Sequence, residues 1–389
     1  MKKFWLKAVA LCLGALVLTG CSAEGGCNGC TPANKLAFTS NWTSDKQYHT
    51  QFKETAVYDV VYRDDYRIST GETETDYSAQ KSNEFTVVYG ENGTAKGGYT
   101  TTTEALQALP SDIGVSVNDT ELYKITASLT LPVTYNILKT EKSYSFTDTV
   151  TSTVYFRSHS SSLSPIYSVK SFDTTQIVNN KNGTYIVRYV YETKIDWVTN
   201  GNKAALSVTD KTDSVTPVYT DDDAYRLTEV ENYSKQIKYT EGTVLDNETL
   251  LFSIRGLTLS SSYSSTLKIL DTAYKSVQSV AVGCKRTVNV TDTWTLNTMN
   301  AAGEWVPQQY DSSATYLTTL NRADSKYTGQ AKHCYYQLTK AETTEDGEET
   351  TEETGKTNAR AFLVKIVESL PNKLGALEYR LSTVHVTEN

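Results

Sequence analysis

Residues 144–157 alternate almost without a break. Tyr144, Phe146, Val150, Val154 and Phe156 fall on one side, and Ser145, Thr147, Thr149, Thr151 and Thr153 on the other. A period of two residues marks a strand with one apolar and one wet face. At about 3.4 Å per residue the stretch would run roughly 48 Å, far longer than the ~17–20 Å of a common strand. Residues 184–197 repeat the pattern, with Tyr185, Val187, Tyr189, Tyr191, Ile195 and Trp197 on one side. Strands of this length cannot pair in a small flat sandwich. They predict a mainly β fold, one large curved antiparallel sheet with one or two short helices.

Composition supports this. The aromatic residues are mostly tyrosine, 27 Tyr against 9 Phe, and only 7 prolines interrupt the chain. Tyr, Thr and Val fit a pleated, half-buried surface. Further strands are predicted at 55–63, 84–89, 123–131, 267–270, 277–282, 287–296, 334–338, 362–367 and 377–386. Asn92-Gly93 and Asn182-Gly183 sit where hairpin turns need positive φ at both central residues. The sequence TEALQAL at 103–109, stopped by Pro110, predicts a short helix. A second helix is predicted at 249–254, where Leu250, Leu251 and Ile254 recur at helical spacing, Asp246 can cap the start and Gly256 can end the turn. The acidic run at 342–353 has no apolar period and reads as a solvated hairpin loop.

The search for chemistry returns little. The four histidines, His49, His159, His333 and His385, have no second His or carboxylate at metal-ligand spacing. Asp221-Asp222-Asp223 lacks the alternation and the glycine of a calcium loop and reads as a solvated turn. His333 beside Cys334 is placed to lower a thiol pKa, unless that thiol is oxidised. A Cys284–Cys334 disulfide is a candidate, closing a loop worth about 4 kcal/mol of chain entropy. Cys27-Asn28-Gly29-Cys30 is a CxxC in a Gly-rich stretch with no βαβ context, so a local disulfide or free thiols stand beside a redox or metal pair. No catalytic residues, metal or cofactor are nominated.

The start of the chain carries a basic n-region of Lys2, Lys3 and Lys7 and an apolar run over 8–19, too short to span a bilayer. It ends in Leu18-Thr19-Gly20-Cys21, which resembles the lipobox of bacterial lipoproteins. That resemblance implies cleavage after residue 20 and lipidation of Cys21, with 1–20 a signal peptide, 21–34 a flexible tether and 35–389 a single β-rich domain. It also implies a location on the extracytoplasmic face of the cell membrane, held by diacylglyceryl-Cys21. Cleavage would leave 34 basic residues against 45 acidic, a net charge of −11. So acidic a chain lacks the basic footprint that nucleic acid requires.

Within the body, residues 245–257 (LDNETLLFSIRGL) resemble the Asp-x-x-Ser/Thr-x-x-Tyr/Phe-x-x-Arg-x-Leu segment of a bacterial envelope family of unknown function grouped with the LolA, LolB and LppX carriers. Tyr58, Tyr66 and Gly71, the strand 334–338 and the stretch 374–381 agree loosely. The resemblance implies a half-barrel wrapped around a short helix, with a concave apolar interior able to hold acyl chains. Its candidate lining is Leu250, Leu251, Phe252 and Ile254 on the helix, with Tyr144, Phe146 and Phe156 on the sheet.

Two functional readings follow, neither enzymatic. The first is a lipoprotein that binds an apolar or amphiphilic, lipid-like ligand in the half-barrel. The second is a structural or adhesive envelope protein that binds polysaccharide or another protein through a Tyr/Thr-rich surface. A carbohydrate-active enzyme would need two carboxylates converging in a cleft, and nothing in the spacing nominates them.

Overall fold

The computed structural model describes residues 49–70, 73–90, 97–114, 121–159, 162–199, 201–256, 264–272, 274–287, 290, 292–312, 315–322, 332–339, 360–370 and 373–388. The leader, Cys21, Cys27, Cys30, the Asn92-Gly93 turn and the acidic run at 342–353 lie outside them.

The first part of the chain forms β1 (Lys53–Arg63), β2 (Arg67–Thr70), β3 (Thr73–Asp76), β4 (Phe85–Tyr89), β5 (Gly97–Leu106), β6 (Leu122–Ile137) and β7 (Lys142–His159). There follow β8 (Ser162–Asn180), β9 (Gly183–Asp196), β10 (Lys203–Asp210), β11 (Tyr225–Leu227), β12 (Tyr233–Lys238) and β13 (Val244–Leu245). After α1 (Asn247–Arg255) come β14 (Ser264–Asp271), β15 (Ser276–Thr287), β16 (Thr293–Met299) and β17 (Trp305–Asp311). The last four are β18 (Thr315–Arg322), β19 (Lys332–Thr339), β20 (Arg360–Ser369) and β21 (Ala376–Thr387).

Nineteen strands join in one mostly antiparallel sheet that does not close, and β2 and β3 form a separate hairpin. From β14 the pairing runs through β15, β18, β19, β20 and β21 to β1. It continues through β5, β6, β7, β8, β9 and β10 to β12. The mainly β expectation holds, and long strands are its backbone: β6, β7, β8 and β9 contain 16, 18, 19 and 14 residues. The turn at 181–182 joins β8 to β9, with Asn180 pairing Gly183 at φ +115°. Among the described residues no helix is long and apolar enough to cross a membrane.

The sheet wraps α1, which touches β6, β7 and β8 on one side and β14 and β20 on the other. Its sequence explains its position. Asp246 accepts from the Glu248 N–H at 3.1 Å, and Thr249 Oγ1 accepts from the Asp246 N–H at 2.9 Å, so two donors left open by the helix start are satisfied. Gly256 ends it. Every residue from Glu248 to Arg255 is buried. The main core fills the wrap, and a second cluster built on Trp197, Ala204, Leu206 and Ile237 sits where β9, β10 and β12 meet.

The helix predicted over 103–109 is not formed. Its first residues are the end of β5, where Thr103 pairs Ile125 and Glu104 forms an ion pair with Lys124. Two paired neighbours, β1 and β6, outweigh the local helix propensity of TEALQAL. The Cys284–Cys334 disulfide is not formed either. Both are buried thiols, and Thr318 of β18 pairs with each of them from between. Two strand spacings separate their backbones by about 9–10 Å, beyond the reach of a disulfide.

The β20–β21 connection ends in Gly375 at φ +97°, where an added Cβ would lie 2.4 Å from the Arg63 carbonyl. Just beyond it, Glu378 is buried among three cations. Arg63 Nε lies at 2.8 Å, Arg380 Nη2 at 3.2 Å, and Lys365 is also in contact. Burial alone would raise this carboxyl's pKa, but the cations overcome it and hold the value at about 2. A folded-state pKa below the unfolded one stabilises the fold above pH ~4.5, and this contribution disappears as pH falls toward ~2. Acid titration followed by circular dichroism should therefore show stability falling over that window. Glu378→Gln should flatten the slope by up to about 3 kcal/mol. An unchanged slope would mean that the cluster is too well solvated to matter.

Candidate functional site

Two regions compete: the interior around α1 and a pair of surface recesses. The interior is held by buried charge at both ends of the helix. At the N-terminus, Lys170 of β8 reaches Glu248 Oε1 at 2.8 Å and Asp246 Oδ1 at 3.5 Å. Burial would discharge this lysine, but the two carboxylates more than compensate and raise its pKa. At the C-terminus, Arg255 binds Glu54 of β1 through two parallel bonds of 2.6 and 2.9 Å and donates Nε to the Ala361 carbonyl. Phe252 and Phe362 lie against the guanidinium. Acid at the start and base at the end also suit the helix dipole. Tyr336 then donates to the Leu251 carbonyl at 2.8 Å.

The seven candidate lining residues do not converge on a cavity. Leu250 and Ile254 are fully buried. Leu251 and Phe252 border a gap of about 10 Å³ shared with Tyr58, Tyr99, Arg255 and Phe362. That is room for about one water molecule. Phe156 is stacked on Tyr123 at 5.5 Å. Tyr144 donates to the Asp222 carboxylate at 2.9 Å and, with Phe146, packs edge-on against Tyr219. Phe146 also stacks on Tyr225. Asp222 is thus a turn residue, held below the ordinary carboxylate range by the Ala224 N–H, Tyr144 and Lys142. Among the described residues no group of three or more His, Cys, Asp or Glu is placed to hold a metal ion.

The pairing of His333 with Cys334 gives no activated thiol. Burial dominates both groups, lowering the imidazole to about 4 and raising the thiol to about 12. The ring is a neutral partner of Tyr77 Oη at 2.9 Å and Thr319 Oγ1 at 3.3 Å.

The surface recesses lie along β7, β8 and β9, beside the connection from β10 to β11. One, of about 250 Å³, is lined by Ser145, Phe146, Thr147, Asp148, Asp173, Thr175, Arg188 and Val218. The other, of about 230 Å³, is lined by Thr149, Thr151, Ser171, Phe172, Asp173, Val190, Tyr191, Glu192, Lys211 and Ser214. Asp173 belongs to both. Arg188 clasps it with two bonds of 2.7 and 2.8 Å. Asp148 is buried and accepts from the Thr175 N–H and hydroxyl at 2.9 and 2.8 Å. Burial pushes its pKa up to about 8, against those hydrogen bonds, so at neutral pH it is mostly a protonated acid. Sequence reading passed over Asp148, Asp173 and Arg188. The signal was an aspartate on the face of β7 that carries Tyr144, Phe146, Val150, Val154 and Phe156.

No family model matches the chain, and no curated protein matches it. Among solved structures, a β-barrel-like protein of the domain of unknown function DUF1849 from Brucella abortus is similar. The match covers 87% of this chain and 99% of that one at 7% identity, with a TM-score of 0.39.

Proposed function

We propose that this chain is a non-enzymatic, membrane-anchored envelope protein that binds a polysaccharide or protein partner at its surface. One observation carries the choice. Two recesses of about 250 and 230 Å³ open at the surface, whereas the gap beside the helix measures about 10 Å³. Ligand sites are usually preformed concavities. A lipid-like ligand in the interior would have to displace α1, breaking ion pairs at both of its ends. Attachment through diacylglyceryl-Cys21 to the extracytoplasmic face belongs to the same proposal and rests on the lipobox-like ending alone.

The two parts are tested separately. Cells fed labelled palmitate should label the protein, and Cys21→Ala should lose the label and leave the membrane fraction. Equal labelling of the variant would remove the anchor from the proposal. The mature protein, released from membranes into native mass spectrometry, should carry no mass beyond its own acyl chains. It should cosediment with purified cell-wall sacculi or with a defined envelope protein. A co-purified lipid lost on denaturation would overturn surface binding in favour of a half-barrel carrier.

A further inference from the structure

We infer that the two recesses along β7, β8 and β9 are adjoining subsites for a neutral saccharide chain, with the Asp173–Arg188 pair as their common hydrogen-bonding centre. This rests on the surface-binding reading above and names its ligand class and residues.

Charge balance comes first. Among the lining residues the carboxylates Asp173 and Glu192 are matched in number by the cations Arg188 and Lys211, with Asp173 paired to Arg188 and Glu192 to Lys194 beside it. Asp148 adds no full charge while it keeps its proton. A strongly anionic or cationic ligand would find no complementary field there, whereas a neutral one would leave the ion pair intact.

The kind of polarity comes second. Hydroxyls line the rims, Ser145 and Thr147 in one recess and Thr149, Thr151 and Ser171 in the other, while the Thr175 hydroxyl of the first is taken up by Asp148. Hydroxyls donate and accept alike, a carboxylate accepts twice, and a guanidinium donates through a planar fork. A row of vicinal ligand hydroxyls can satisfy all three, each both giving and receiving. Apolar side chains border each recess, Phe146 and Val218 in the first and the buried Val190 and Tyr191 in the second. Val218 is 54% exposed, a cost that a ligand would relieve.

Backbone pairing comes third. An extended peptide is commonly gripped by an unpaired strand edge. Here β8 is bonded to β7 over Ser162–Asp173 and to β9 over Tyr167–Asn180, and β9 is bonded on its other side to β10 and β11. The strands under the second recess therefore offer side chains rather than free main-chain groups, and at the first the Thr175 N–H is already taken by the Asp148 carboxyl.

The test titrates the full-length protein, in a detergent without a sugar headgroup, with cellopentaose, xylopentaose, mannopentaose, maltopentaose and chitopentaose. Saturation-transfer NMR and calorimetry read binding. Thr147→Trp and Thr151→Trp, at exposed positions, fill the first and second recess respectively, and circular dichroism melting confirms that each variant folds. At least one pentasaccharide should bind, each variant should weaken it about tenfold or more, and pentagalacturonate should bind more weakly than the neutral sugars. Three outcomes overturn the inference: no neutral pentasaccharide binds, the best one binds both variants unchanged, or the charged sugar binds tighter. If the sacculus sedimentation described above persists in either of the first two cases, the surface reading stands and only this assignment falls.

Discussion

Replacing Glu54 with alanine should lower the stability of the fold by about 3–5 kcal/mol, among the largest effects of any single change in this protein. The reason is not the strength of the lost ion pair but what it leaves behind. Arg255 and Glu54 are 2% and 3% exposed, so a stranded guanidinium could neither reach water nor discharge. Urea unfolding would measure the loss. The double variant Glu54→Leu with Arg255→Met should recover most of it, because two apolar groups of similar volume leave no charge uncompensated. A single variant costing less than about 1 kcal/mol would mean that water already reaches the pair, and that the C-terminal end of α1 is looser than its geometry indicates.

Leu251→Ala should cost about 2–5 kcal/mol, the range for a buried leucine whose surroundings only partly collapse. Leu251 already borders the small gap beside the helix, so the variant should join the two volumes into a dry cavity. Such cavities bind small apolar molecules. Benzene should therefore raise the melting temperature of the variant and leave that of the parent unchanged. If benzene stabilised the parent equally, an apolar space would exist there without mutation, and the interior would regain its claim as the ligand site.

Both results bear on what the sequence made legible. The strands at 144–157 and 184–197 were readable because one face is mostly apolar and the other mostly Ser, Thr or charged, and burial follows that division along β7. The strand between them, β8, was not readable. Its buried positions include Ser168, Lys170, Thr174 and Thr175, so polarity no longer separates inside from outside. Those polar residues are buried because partners far along the chain satisfy them: Lys170 by Asp246 and Glu248, Ser168 by the Trp197 indole, Thr175 by Asp148. Helix α1 was readable down to its cap because its signals are local. The recesses were not, since Asp148, Asp173 and Arg188 are brought together only by the register of three strands.

The pairing of β1 with β21 has a consequence for how such a chain reaches its native state. Lys53 meets Thr387 and Arg63 meets Ala376, and β21 also holds β20 on one half of its other edge and β16 on the remainder. Until β21 is available, three strands lack a neighbour and Glu54 has only one paired strand beside it. Contacts this distant in sequence are slow to form, because the intervening loop must close before any bond rewards it. On this topology β21 should join the sheet late, which amide-exchange labelling during refolding would check. If the chain is exported to the extracytoplasmic face, as proposed above, and crosses unfolded, that delay would itself be useful: premature compaction before export would lack the segment that joins β1, β16 and β20.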